Sequence, residues 1–154
     1  MNVSLSMILA HLPADPPPLQ LKGLRGSSKA LFLKEIHTNL DRPLVVLSDS
    51  YENAERLLRD LTFFLGDEGL CLFPPWDVMP YDLFSPHRTL VGQRLQCLDM
   101  LIRKACRVFI TTPHALMQKL LPVEAFRDSI LQIKSGDSLE ISDIKIRLQE
   151  TGYQ

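Results

Sequence analysis

Three short runs constrain the fold of this chain more than anything else in it: Leu44-Val45-Val46-Leu47, Leu70-Cys71-Leu72-Phe73 and Arg107-Val108-Phe109-Ile110-Thr111. The first, Leu44 to Leu47, is apolar without alternation. An antiparallel strand with one wet face alternates apolar and polar residues, whereas continuous apolarity marks a strand covered on both faces, as in parallel sheets. A parallel sheet needs crossover connections, and helical patterns fill the intervals. Ser28 to Leu40 carries a stripe of Leu31, Phe32, Ile36 and Leu40, which Pro43 ends. Asp49 or Ser50 can cap the next helix, with capping-box spacing from Asp49 to Glu52, a stripe of Ala54, Leu57, Leu58, Leu61 and Phe64-Leu65, and Gly66 as its stop. Thr89 to Cys106 aligns Leu90, Arg94, Leu98 and Leu101. Thr112-Pro113 reads as an N-cap and first helical position for a helix over His114 to Leu121. A further short strand, Leu19 to Lys22, is expected before a glycine-rich turn. The pattern predicts a three-layer α/β domain with a mainly parallel sheet, whose ligands would sit at the carboxyl ends of the strands.

Three segments follow from this reading. Residues 1–18 form an appendage, in which Leu5, Ile8, Leu9 and Leu12 share a helical face before the linker Asp15-Pro16-Pro17-Pro18. Residues 19–128 make the α/β domain. Residues 129–154 begin a second small domain, with an edge strand over Ile130 to Lys134, a turn at Gly136-Asp137, and a helix capped by Ser142 that carries Ile144, Ile146 and Leu148.

Charge and cysteine usage narrow the function classes. Seventeen basic against eighteen acidic residues give a net charge of −1, so there is no general pull toward nucleic acid or membrane surfaces. The densest basic cluster is Arg103-Lys104 with Arg107. Cys71, Cys97 and Cys106 sit in apolar runs without a C-x-x-C pair, and the four histidines are scattered, so neither a disulfide framework nor a metal site is expected. No charged n-region opens the chain and no apolar run reaches the ~20 residues of a membrane span, so a cytoplasmic location is expected.

The glycine-rich turn is a P-loop with parts missing. A working loop reads G-x-x-x-x-G-K-[ST] between a strand and a helix; its lysine reaches the β- and γ-phosphates and its hydroxyl holds Mg²⁺. Aligned on Lys29, Gly23-Leu24-Arg25-Gly26-Ser27-Ser28-Lys29-Ala30 has serine for the second glycine and alanine for the hydroxyl residue. No acidic pair follows a strand. No catalytic residue is assigned, and hydrolysis is not expected. Gly23, Gly26, Ser27, Ser28 and Lys29 retain a weaker capacity, the binding of an anion by backbone amides at a helix start.

The stretch from Phe73 to His87 is unusual in another way. Its prolines exclude a regular helix, and Trp76, Tyr81 and Phe84 would be costly to leave in water. Asp77 and Asp82 lack a nucleophile or metal ligands at useful spacing, so they read as turn caps and solvated charges. A binding loop for another domain is the functional alternative.

Together these residues carry a family resemblance. The glycine loop with Leu31, Phe63-Phe64-Leu65-Gly66, Phe73-Pro74-Pro75-Trp76, and Pro80-Tyr81-Asp82 through Ser85-Pro86-His87 with Arg94-Leu95 resemble the N-terminal region of bacterial transcription-repair coupling factors (the Mfd family). The likeness runs from about residue 20 to the end, as for a fragment of a longer protein. It implies a module similar to the excision-repair protein UvrB with a degenerate Walker A, and a signature loop made of Trp76, Pro80, Tyr81, Asp82, Ser85, Pro86, His87 and Arg94. It further implies a non-catalytic scaffold without cofactor, since ATP and Mg²⁺ would serve only the parent's absent motor. The expected partners are the parent's other domains. UvrA would be met mainly through the missing part of the second domain, and RNA polymerase and DNA only through absent domains. The alternative is a divergent P-loop NTPase domain that still binds nucleotide.

Overall fold

The computed structural model describes Pro18 and residues 20–40, 42–78, 85–131, 133–136, 138 and 140–150. The expected appendage helix, Leu19 and the block Pro80-Tyr81-Asp82 lie outside these residues. One compact unit ends at Gln118 and another begins at Lys119. The first holds α1 (Ser28–Asn39), β1 (Leu44–Leu47), α2 (Tyr51–Leu65), β2 (Leu70–Phe73), α3 (Arg88–Ile102), β3 (Val108–Thr111) and α4 (Pro113–Leu116). The second holds α5 (Val123–Ser129) and α6 (Ile141–Glu150).

The three apolar runs form one parallel sheet in the order β1-β3-β2, with Leu44, Val108 and Leu70 in register. On one face Leu44, Val46, Val108, Ile110, Leu70 and Leu72 pack against Ala30 and Leu33 of α1 and against Ala54, Leu57, Leu58 and Leu61 of α2. On the other, Cys71, Phe73 and Phe109 meet Cys97, Leu98 and Met100 of α3, together with Cys106 and Ala115. The result is the expected three-layer α/β arrangement.

Burial follows strand position. The central β3 is buried at every residue. In β1 burial alternates instead, and Val45 and Leu47 are 68% and 56% exposed. The expectation that this strand is covered on both faces is therefore corrected: α3 covers the second face at β2 and leaves it bare at the β1 edge.

Several boundaries also differ from the sequence reading. Residues 20–22 form no strand, and neither do the described residues between 130 and 134, because neither segment finds a hydrogen-bonded neighbour. Ser50, rather than Asp49, caps α2: its hydroxyl accepts from the Asn53 amide at 3.2 Å, and Glu52 pairs with Arg56 instead of closing a capping box. The third long helix ends at Ile102 rather than Cys106, because Lys104 takes φ +57° and the amides of Ala105 and Cys106 return to the Met100 carbonyl. Thr112 caps α4 as expected, accepting from the Ala115 amide at 3.3 Å. That helix stops at Leu116, however, and the chain forms the unforeseen α5 after Pro122.

Gly69 sets the start of the β2–β3 pairing. Its carbonyl accepts from the amides of Arg107 (2.8 Å) and Val108 (3.0 Å), its φ is +79°, and a Cβ there would lie 2.9 Å from the Arg107 Cγ. Only glycine meets both demands without a shift.

Candidate functional site

Two regions hold the residues that the sequence singles out. The first is the glycine turn. Gly23 and Gly26 have φ +89° and +52°, which lets the chain reverse into α1. Ser27 takes the cap position without a side-chain hydrogen bond. The Ser28 amide donates to the Arg25 carbonyl at 3.2 Å, and its hydroxyl donates to the same oxygen at 2.7 Å. The Lys29 amide points to the Gly26 carbonyl at 3.5 Å. Donors that would cradle a phosphate in a working loop are here engaged in a local turn.

Ala30 is the more telling residue. Aligned on Lys29 it falls where a working P-loop carries its hydroxyl residue, and it is fully buried, packed with Ala54, Leu61, Val108 and Ile110. A position that serves Mg²⁺ must face the ligand. This one faces the core.

Beside the turn lies a cleft of about 630 Å³ between α1, the carboxyl end of β1 and α2. Leu24, Phe32, Leu33 and Leu57 supply its apolar wall, and Lys29, Arg56, Asp49 and Asp60 its charges. Two cations against two anions give no excess for a polyphosphate. The Asn53 side-chain amide donates to the Asp49 carboxylate at 2.9 Å and holds it below the ordinary carboxylate range, so this wall is anionic at neutral pH.

The second region lies at the carboxyl end of β2. Arg94 of α3, only 2% exposed, places its guanidinium 4.1 Å from the ring centres of both Phe73 and Trp76. Its Nη1 donates to the Pro74 carbonyl and, at 2.9 Å, to Gln118 Oε1, which also accepts from the Trp76 amide at 3.1 Å. Among the described residues no carboxylate pairs with Arg94, and Nη2 has no partner. Burial lowers its pKa, yet a guanidinium starts so high that it stays charged. Two ring faces take the place of a counter-ion, a planar stacking that arginine makes and lysine cannot reproduce.

The signature loop is tied at its feet. Both carboxylate oxygens of Asp77 lie 3.4 Å from the His87 amide, and His87 Nδ1 accepts from the Thr89 amide to cap α3. The structure thus brings Trp76 to Arg94 and His87 to Asp77. Ser85 is exposed and Pro86 half-buried, while Pro80, Tyr81 and Asp82 lie outside the described residues. Sequence reasoning missed Gln118, which fell within the helix expected over His114 to Leu121; nothing in its neighbours signals the contact.

The free thiols of Cys71, Cys97 and Cys106 share the α3 core. Contact with Cys106 pulls the Cys71 thiol down, but contact with Cys97 and burial outweigh it and push it up to about 12. Among the described residues no group of three or more His, Cys, Asp or Glu side chains is placed to hold a metal ion. No helix among them is long and apolar enough to cross a membrane.

Comparison with known proteins gives a consistent result. No family model matches the chain. Relatives named transcription-repair-coupling factor do: that of Haemophilus influenzae is 33% identical over 144 residues, covering 93% of this chain, and that of Myxococcus xanthus 32% over 143 residues, covering 88%. The Escherichia coli K12 protein is 29% identical over 144 residues. In each case the chain spans only 12% of the relative's length.

Proposed function

Because the chain belongs to the transcription-repair-coupling factor family and matches one small part of its members, we propose that it is a non-catalytic scaffold and interaction module of such a protein. In this reading the parent is an ATP-dependent DNA translocase that removes stalled RNA polymerase at lesions and recruits UvrA. The motor, the polymerase contacts and most of the UvrA contacts lie in other parts of that parent.

One observation carries the reading. Ala30 stands where phosphoryl transfer requires a metal-holding hydroxyl, and its side chain is part of the hydrophobic core. A nucleotide could still approach Lys29, but no group at this position would fix Mg²⁺ against its phosphates. The net charge of −1 and the balanced cleft likewise favour protein contacts over nucleic-acid contacts.

The test is turnover. The 154-residue chain is expected to hydrolyse no ATP above the buffer rate, with and without Mg²⁺, and Lys29→Ala is expected to change nothing. A hydrolysis rate that Lys29→Ala abolishes would overturn the proposal. Titration calorimetry with Mg-ATP then separates the alternative, a nucleotide-binding domain, which requires heats at micromolar affinity.

A further inference from the structure

The cleft beside the glycine turn lacks the groups for phosphoryl transfer, yet it is built like a ligand site. Its volume of about 630 Å³ lies within the range of small-molecule pockets. It opens at the carboxyl end of β1, where α/β sheets take their ligands. Leu24, Phe32, Leu33, Val46 and Leu57, all half-buried, give it an apolar wall against which a flat ring can lie.

The charges narrow the ligand. Arg56 lines the cleft but is held by Glu52, which leaves Lys29 against Asp49 and Asp60. That balance disfavours an anion, and the amides of the turn are engaged locally. Asp49 is the fixed group. Its Oδ1 accepts from the Ser50 amide and the Asn53 side-chain amide, both at 2.9 Å, and the Ser48 hydroxyl lies 3.4 Å from the same oxygen. The carboxylate is thereby oriented, and among the described residues no donor reaches its Oδ2.

The place of Asp49 in the chain gives the ligand class. A glycine turn opens α1, α1 crosses to β1, and Asp49 stands two residues beyond Leu47, the last of the strand. Doubly wound dinucleotide-binding folds use the same order of turn, helix, strand and acid, with the acid about 20 residues past the turn. There the acid binds a ribose hydroxyl while the turn holds the phosphates. Asp49 follows Gly26 at about that distance, so here the acid is present without the phosphate cradle.

We propose that this cleft binds a ribonucleoside, with ribose hydroxyls donating to Asp49 Oδ2 and the base lying on Leu24, Phe32, Leu33 and Leu57. Such a ligand is neutral and needs neither a phosphate contact nor a metal. Because the wall is apolar, the site reads the sugar and not the base. The proposal is independent of the scaffold reading: turnover tests that one, and binding without turnover tests this one.

Nucleoside titration of the 154-residue chain, followed by its amide cross-peaks in NMR, is the experiment. Adenosine should bind, and the peaks that move should include those of Gly26, Ser48, Asp49 and Asn53. 2′-Deoxyadenosine should bind at least about tenfold more weakly, having lost a hydrogen bond to a charged group. ATP should bind no more tightly than adenosine, with or without Mg²⁺. Asp49→Asn keeps an oxygen for Ser50 and Asn53 and removes the charge. It should weaken adenosine about tenfold and leave the two sugars equal. Failure of adenosine to bind at millimolar concentration overturns the proposal, as do equal affinities for the two sugars in the unaltered chain. Adenine that binds as tightly as adenosine overturns it without any variant, because the sugar then contributes nothing. ATP that binds more tightly than adenosine, and only with Mg²⁺, overturns it too by assigning the cleft to phosphates.

Discussion

The glycine turn and the Arg94 pocket both carry a basic residue at a carboxyl-end position of the α/β layer, and they have opposite fates. Lys29 has the motif, yet its side chain is exposed beside a turn whose amides are engaged locally. Arg94 has no motif, yet it is buried between two aromatic rings and holds Pro74 and Gln118 in place. A basic residue is held by its surroundings and not by the motif that its neighbours spell. It becomes indispensable when the fold closes over it and leaves its charge to be satisfied by the chain itself.

The contrast can be broken most directly at Arg94. Arg94→Ala should cost about 3–5 kcal/mol, since it empties the space between Phe73 and Trp76, removes the donor to the buried Pro74 carbonyl and leaves Gln118 Oε1 with the Trp76 amide alone. Urea denaturation of the purified chain measures this, and a midpoint equal to that of the parent would remove Arg94 from the structural account. Arg94→Lys should recover only part of the loss, for want of a planar group to stack.

A smaller effect sharpens the comparison at the level of the backbone. Gly69→Ala and Gly26→Ala both force a side chain into positive φ, at a cost of about 1 kcal/mol each. Only the Cβ at residue 69 meets a neighbour, the Arg107 side chain, whereas that at residue 26 meets open space. Gly69→Ala should therefore be the more destabilising, by about 1 kcal/mol, and Gly69→Ala combined with Arg107→Ala should lose that excess. Equal losses from the two single variants would mean that the crowding has no energetic weight.

The smallest effect belongs to the motif lysine. Lys29→Ala should change stability by less than about 0.5 kcal/mol, as for an exposed helix residue without a specific partner. A loss comparable to that of Arg94→Ala would mean that Lys29 holds the turn together, and the contrast between the two regions would collapse.

Much of the fold was legible because the signals were local. The three apolar runs became the three strands, Gly66 and Ser50 bounded α2, and Thr112-Pro113 opened α4. The strand expected at Leu19 to Lys22 and the edge strand expected near Ile130 were not, because a strand exists only with a neighbour, and no local pattern supplies one. Of the site, the turn before α1 could be read from Gly23 and Gly26, which take positive φ. The junction of Phe73, Trp76, Arg94 and Gln118 could not, since it joins residues up to 45 positions apart through side chains whose types are ordinary singly.

By itself the sequence determined the class of the fold, the absence of a hydroxyl at Ala30, and the likeness to transcription-repair-coupling factors. These depend on residue identity and short-range spacing, which survive without coordinates. Only the tertiary structure decided that Ala30 faces the core, that Arg94 is buried without a described counter-ion, and that β1 is an apolar strand with one side unpaired. Burial and pairing are relations between distant segments, fixed when the chain packs and invisible in any one of its stretches.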